Sequence, residues 1–164
     1  MAREFVVSAA GITLANQAVT LVFINPAAAP NFNIEILRCW IGQSANATSA
    51  QQRVQLVTQV TAFPTLIAAT PAKLKRGDPN ASIIIGGTAG AAGTAGINAS
   101  AEGAGAKTII FEDAFNVVNG WVYIPTPRET IILPGGSASG FGLYLPVAAA
   151  TLTNWAFGVT FAEV

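Results

Sequence analysis

Hydrophobic and polar positions alternate with period two along much of this chain, most clearly near its C-terminus. Trp155, Phe157, Val159 and Phe161 occupy every second position, with Ala156, Gly158 and Thr160 between them. Such alternation of large and small residues predicts a strand with one face in a core. The same reading predicts strands at Ala18–Asn25, Phe32–Ile41, Arg53–Phe63, Ser82–Ile85, Lys107–Phe111, Val117–Ile124, Thr130–Pro134 and Phe141–Pro146. A short strand or pair of strands opens the chain over Glu4–Ser8 and Gly11–Leu14. Val22 to Ile24 leave no room for alternation, which predicts burial on both faces. In the strand over Phe32–Ile41, Ile34 and Ile36 face one side and Glu35, Leu37 and Cys39 the other, so Arg38 falls on the isoleucine side.

The breaks between these runs are rich in proline and glycine. The stretch 26–31 (PAAAPN) is a stiff turn, because each proline fixes its own φ and restrains the residue before it. Residues 64–81 hold three prolines and one glycine, which limits any helix there to a single turn. Residues 86–106 are almost wholly glycine and alanine. Such a stretch has little to pack and loses much entropy on ordering, which predicts a long excursion that settles only on a receiving surface. Lys107–Phe111 and Val117–Ile124 are expected to be joined by a turn over Glu112–Asn116. With about eight to ten short strands and turn signals between them, the expectation is all-β, an antiparallel β-sandwich, with jelly-roll connections and long Gly/Ala-rich loops. One domain spans 1–164, with an N-terminal arm over about 1–16 and the Gly/Ala-rich loop at 86–106.

Charge then narrows the function. Charged residues make up 10% of the 164 residues, against roughly 25% in ordinary soluble domains. No apolar run approaches the roughly 20 residues of a spanning helix, so we read the deficit as surface hidden against other subunits and expect no membrane partner. Eight basic and eight acidic side chains cancel, which argues against a nucleic-acid partner. Glu4, Gly11 and Thr13 interrupt the apolar stretch after Arg3, so it reads as a strand and not as a secretion signal. Cys39 is the one cysteine, which fits synthesis in a reducing cytoplasm. The acceptor-like tripeptides at Asn46, Asn80 and Asn98 are compositional accidents on this reading.

Catalytic chemistry has little to work with. The absence of histidine removes the commonest general base and every Ser-His or Cys-His arrangement. Cys39 sits in an apolar strand and reads as core filling. Glu112 and Asp113 are the nearest approach to a carboxylate pair; Asp78 and Glu102 lack the spacing of a calcium loop. Residues 102–108 (EGAGAKT) miss both obligatory glycines of a phosphate loop. No enzyme activity and no cofactor are expected. Trp40, Trp121, Tyr123 and Tyr144 would serve a carbohydrate- or receptor-binding module if at least two lay exposed side by side.

Three pieces of the C-terminal quarter carry a resemblance: Ile131–Gly136 (IILPGG), Gly140–Pro146 (GFGLYLP) and the closing strand up to Glu163. They resemble the ends of small bacteriophage virion proteins. The chain also looks like the trimeric jelly rolls of the tumour-necrosis-factor and complement C1q type. The phage resemblance implies a capsid decoration, or cement, protein on the outer surface of an icosahedral head, made in the host cytoplasm. It would act as a homotrimer that clamps neighbouring copies of the major capsid protein. Expected lattice or partner contacts are Arg3 and Phe5 in the arm, Lys73, Lys75 and Arg76 as a basic patch, and Gly93 and Ile97 in the Gly/Ala loop.

Overall fold

The computed structural model describes residues 2–29, 32–45, 48–136 and 138–164; Asn46 and the end of the 26–31 turn lie outside them. The described residues contain strands and turns and no helix. In chain order the strands are β1 (Arg3–Ile12), β2 (Val19–Ile24), β3 (Ile34–Gln43), β4 (Gln51–Val60), β5 (Thr65–Ala68), β6 (Ala72–Lys73) and β7 (Ile85–Gly86). Then follow β8 (Thr94–Ala101), β9 (Lys107–Asn116), β10 (Trp121–Tyr123), β11 (Ile131–Leu133), β12 (Ser139–Leu145) and β13 (Trp155–Glu163). They build two sheets packed face to face as a β-sandwich. The first runs β10-β3-β13-β1-β6, with β11 also on β3; the second runs β5-β8-β2-β12-β4-β9, with β7 on β8. All pairings are antiparallel except the two-residue contact of β7 with β8.

β13 occupies the centre of the first sheet, between β3 and β1. Its large residues point inward as its periodicity predicts: Trp155, Phe157, Val159 and Phe161 are fully buried, beside Phe5, Val7, Ile36, Cys39 and Ile41. Its small residues let neighbours close over the outer face. Trp40 lies opposite Gly158 across the ladder, and a Cβ on Gly158 would run into the Trp40 ring.

The second sheet repeats this device. Phe23 projects from the outer face of β2, and a Cβ on Gly140 of β12 would strike its ring. Here the chain supplies a cover. The segment between β4 and β9 folds back so that Phe63 packs on Phe23, with ring centroids 5.6 Å apart, and Leu66 closes over Gly96. All six residues of β2 are consequently buried, in agreement with its unalternating sequence.

Several expectations are corrected. The opening residues, expected as a short strand or pair of strands, form one long strand: β1 pairs with β13 through most of its length and with β6 on its other edge. A bulge between Ala9 and Ile12, with Gly11 at φ 69°, replaces the break expected there. Residues 86–106 are not a loop throughout, since β8 runs through them and pairs with β2 and β5. Their smallness is what permits this, because Gly96 leaves room for Leu66 and the carbonyl of Gly87. On β3, Cys39 is buried with the isoleucines and Arg38 is exposed. The register slips by one residue where β3 passes Thr160 and Phe161 of β13, and this bulge reverses the alternation after Ile36. Residues 112–116 continue β9 and form no turn, because β4 offers them a partner as far as Gln51.

Gly158→Leu tests the fit beneath Trp40. We expect a loss of about 1–3 kcal/mol in stability with altered tryptophan emission, measured by denaturant titration; an unchanged midpoint would show that Trp40 is free to move aside.

Candidate functional site

The residues expected to meet a lattice or partner separate into interior and surface groups. Phe5 and Ile97 are core residues, the former packed on Phe161 with ring centroids 5.8 Å apart, so neither is presented to a partner. Gly93 sits at φ 77° in a turn, where its amide donates to the carbonyls of Asn25 and Pro26. It serves the link from β2 to β8. Arg3 is engaged within the chain: its guanidinium lies 2.7 Å from the Glu163 carboxylate and donates to the Ala81 carbonyl, and it stacks on Phe32. The other Glu163 oxygen accepts from the Ser82 hydroxyl at 2.6 Å and the Ile83 amide at 2.9 Å. A buried carboxylate therefore ties both chain-terminal strands to the segment before β7.

Lys73, Lys75 and Arg76 do lie together near the surface. The Lys73 amine turns back onto the Asp78 carbonyl at 2.7 Å, bracing the turn. Lys75 reaches Glu4 at 2.9 Å in an exposed ion pair, and Arg76 has no partner among the described residues. Beside them a recess of about 450 Å³ is lined by Ala2, Arg3, Lys75, Asp78, Pro79 and Asn80, among others. Sequence reasoning placed Arg3 and the basic cluster apart; the pairing of β1 with β6 brings them together.

Two apolar surfaces were not anticipated. The outer face of the first sheet carries Val6, Trp40, Val122 and Ile132 around the small residues of β13, with Val122 at 61% and Ile132 at 57% exposure. The second surface is the open edge of the sandwich, where β9 and β10 leave a cleft of about 220 Å³ lined by Ile110, Phe111, Tyr123 and Glu129. Ile109, Ile110 and Ile124 stand exposed along it. The register gives the signal for the first surface, since Val122 pairs with Trp40, and Trp40 with Gly158. That register is not legible in any single segment.

Comparison with protein-family models, with curated proteins and with solved structures finds no match. The four ring residues considered for sugar binding lie in three places. Trp121 stacks on Tyr123 with a 15° interplanar angle, but it is buried and its indole N–H donates to Asp113. Trp40 lies on the outer face of the first sheet under Arg38, and Tyr144 lies on the second sheet under Lys107.

Glu112 and Asp113 diverge to opposite faces of β9. Glu112 takes bonds from Arg53 and Gln55, which hold its carboxyl below the usual carboxylate range, while Asp113 turns toward Trp121. Glu102 accepts from the backbone and hydroxyl of Thr20 and pairs with Lys107. Among the described residues no cluster of three or more acidic or cysteine side chains is placed to hold a metal. Burial pushes the Cys39 thiol far above its ordinary pKa and raises the Tyr123 and Tyr144 hydroxyls.

Two outcomes follow from these placements. Arg3→Ala leaves the fully buried Glu163 carboxylate without its counter-charge and should lower stability by about 3–5 kcal/mol. Adding Glu163→Gln should recover part of that loss in denaturant titration; a silent Arg3→Ala would instead return Arg3 to the list of free contact residues. Cys39 should resist a thiol reagent in native buffer and react fully in denaturant, and rapid native labelling would contradict its burial.

Proposed function

We propose that this protein is a virion structural protein, a jelly-roll capsid decoration protein that assembles as a homotrimer and stabilises the head by binding its assembled lattice. One observation carries the assembly reading. Both sheets lay an aromatic ring over a glycine on their outer face, but the chain covers only one of the two. Phe23 lies beneath Phe63 at 0% exposure, whereas Trp40 has only the Arg38 guanidinium over it and Val122 and Ile132 stand exposed. An antiparallel sheet that faces water ordinarily shows polar side chains on that side. Here Val6, Trp40, Val122 and Ile132 with the small residues of β13 outnumber the charged Glu4, Glu35 and Arg38, which favours a partner surface.

The shape of the apolar area favours copies of the same chain arranged in a ring. The outer face of the first sheet and the β9/β10 edge adjoin at β10 but are different surfaces. A contact in which one copy's edge meets the next copy's face is head-to-tail, and such contacts close into cyclic assemblies when the rotation permits. The strand order supports the jelly-roll reading: β2, β4, β9 and β12 lie in one sheet and β3, β10, β11 and β13 in the other, so the path repeatedly crosses between sheets. Binding the assembled lattice and not the free subunits would stabilise the head by mass action.

Light scattering on the purified protein should give three times the chain mass. Val122→Asp with Ile132→Asp should leave the fold intact, since both side chains are already exposed, and yield monomers. Heads stripped of this protein should rebind the wild type and withstand heating better. A wild type that stays monomeric at high concentration would remove the trimer, and failure to bind such heads would remove the decoration role.

A further inference from the structure

We propose that the corner between the start of β1 and the turn over residues 73–80 binds an acidic, extended peptide segment carrying one apolar side chain. Identifying that segment with a loop of the lattice subunit rests on the decoration reading; the chemistry of the corner does not. In a chain with only eight basic residues, Arg3, Lys73, Lys75 and Arg76 gather here. The acids nearby are either committed or few. Glu163 is buried against Arg3, Glu4 pairs with Lys75 at 2.9 Å at the surface, and Asp78 caps the Asn80 amide at 3.0 Å, which leaves Arg76 without a partner among the described residues.

The turn is held in shape before any ligand arrives. The Leu74 amide donates to the Glu4 carbonyl at 3.1 Å, the Asp78 amide to the Lys75 carbonyl at 3.1 Å, and the Lys73 amine to the Asp78 carbonyl. These bonds leave Lys75, at 60% side-chain exposure, and Arg76 pointing outward. Arg76 is free to meet a carboxylate, and Lys75 can exchange its exposed Glu4 partner for one, at little cost in backbone entropy. The adjoining recess, faced by Ala2, Gly77 and Pro79 with Leu74 exposed nearby, has room for an aliphatic side chain. Asp78 inside the recess and the zero net charge of the chain argue against a polyphosphate backbone as the ligand. The corner also lies on the β6 edge of the first sheet, across from Val122 and Ile132, so it stays available when copies associate through that region.

Fluorescence anisotropy with a labelled oligoglutamate peptide containing one leucine tests the corner on the purified protein. We expect saturable binding that weakens as salt rises toward about 1 M, where screening acts within about 3 Å. Lys75→Glu with Arg76→Glu should weaken it by about tenfold or more. The milder Lys75→Gln with Arg76→Gln guards against misfolding, and Arg128→Glu, an exposed cation elsewhere, should change nothing. No peptide binding, an equal loss in Arg128→Glu, or tighter binding of a single-stranded oligonucleotide would each overturn the proposal. Stripped heads separate the two readings. If wild type binds them and the double variants bind equally well, the corner is not the lattice contact. If wild type ignores the heads yet binds the peptide, the decoration role fails and the corner stands.

Discussion

The structure depends on β13 holding the middle of its sheet with two different faces. Inward, Trp155, Phe157, Val159 and Phe161 fill the space between the sheets; outward, Gly158 lets the Trp40 ring pack against the strand. Each of those large side chains contributes on the order of 1.5–3 kcal/mol by leaving water. β3 and β1 reach each other only through β13, and β6 hangs from β1. The Arg3–Glu163 contact at the end of the strand extends this dependence to the segment before β7. Losing β13 would therefore divide the first sheet and expose the core of the second.

The two outer faces show how a chain with few charges manages its surface. On the second sheet, the connection from β4 to β9 places Phe63 and Gly90 against the Phe23 ring and completes its burial. Much of this segment is glycine and alanine, and it packs because it needs almost no volume: Gly96, Gly103 and Gly105 press against neighbouring side chains or carbonyls. On the first sheet there is no such insertion, and the apolar residues remain at the surface. The same physical requirement, cover for an aromatic ring over glycine, is met within the chain in one place and left open in the other. Assembly with sister chains is the reading that treats both faces alike.

The clustering of cations follows a similar logic. Arg38, Arg53 and Lys107 are each placed against a ring or a carboxylate on a sheet face. At the β6 edge Lys75 has an exposed partner in Glu4, while backbone bonds shape a turn that leaves Arg76 without a partner among the described residues. A ligand of opposite charge would give Arg76 the partner it lacks.

The sequence by itself determined the all-β class, the inward face of β13, the double burial of β2 and the surface position of the Lys73–Arg76 cluster. These follow from local periodicity and from charge, which need no knowledge of partners. Tertiary structure decided the rest. The bulge opposite Thr160 and Phe161 turned Cys39 inward and Arg38 outward, because register is a property of two strands and not of one. Pairing with β2 made a strand of the Gly/Ala stretch, and pairing with β13 and β6 joined the expected short opening strand or pair of strands into one. Burial removed Phe5 and Ile97 from the surface, and the distant Glu163 claimed Arg3. Each of these outcomes depends on residues far apart in the chain, and a hydrophobic pattern records which face a residue prefers but not which partner will meet it.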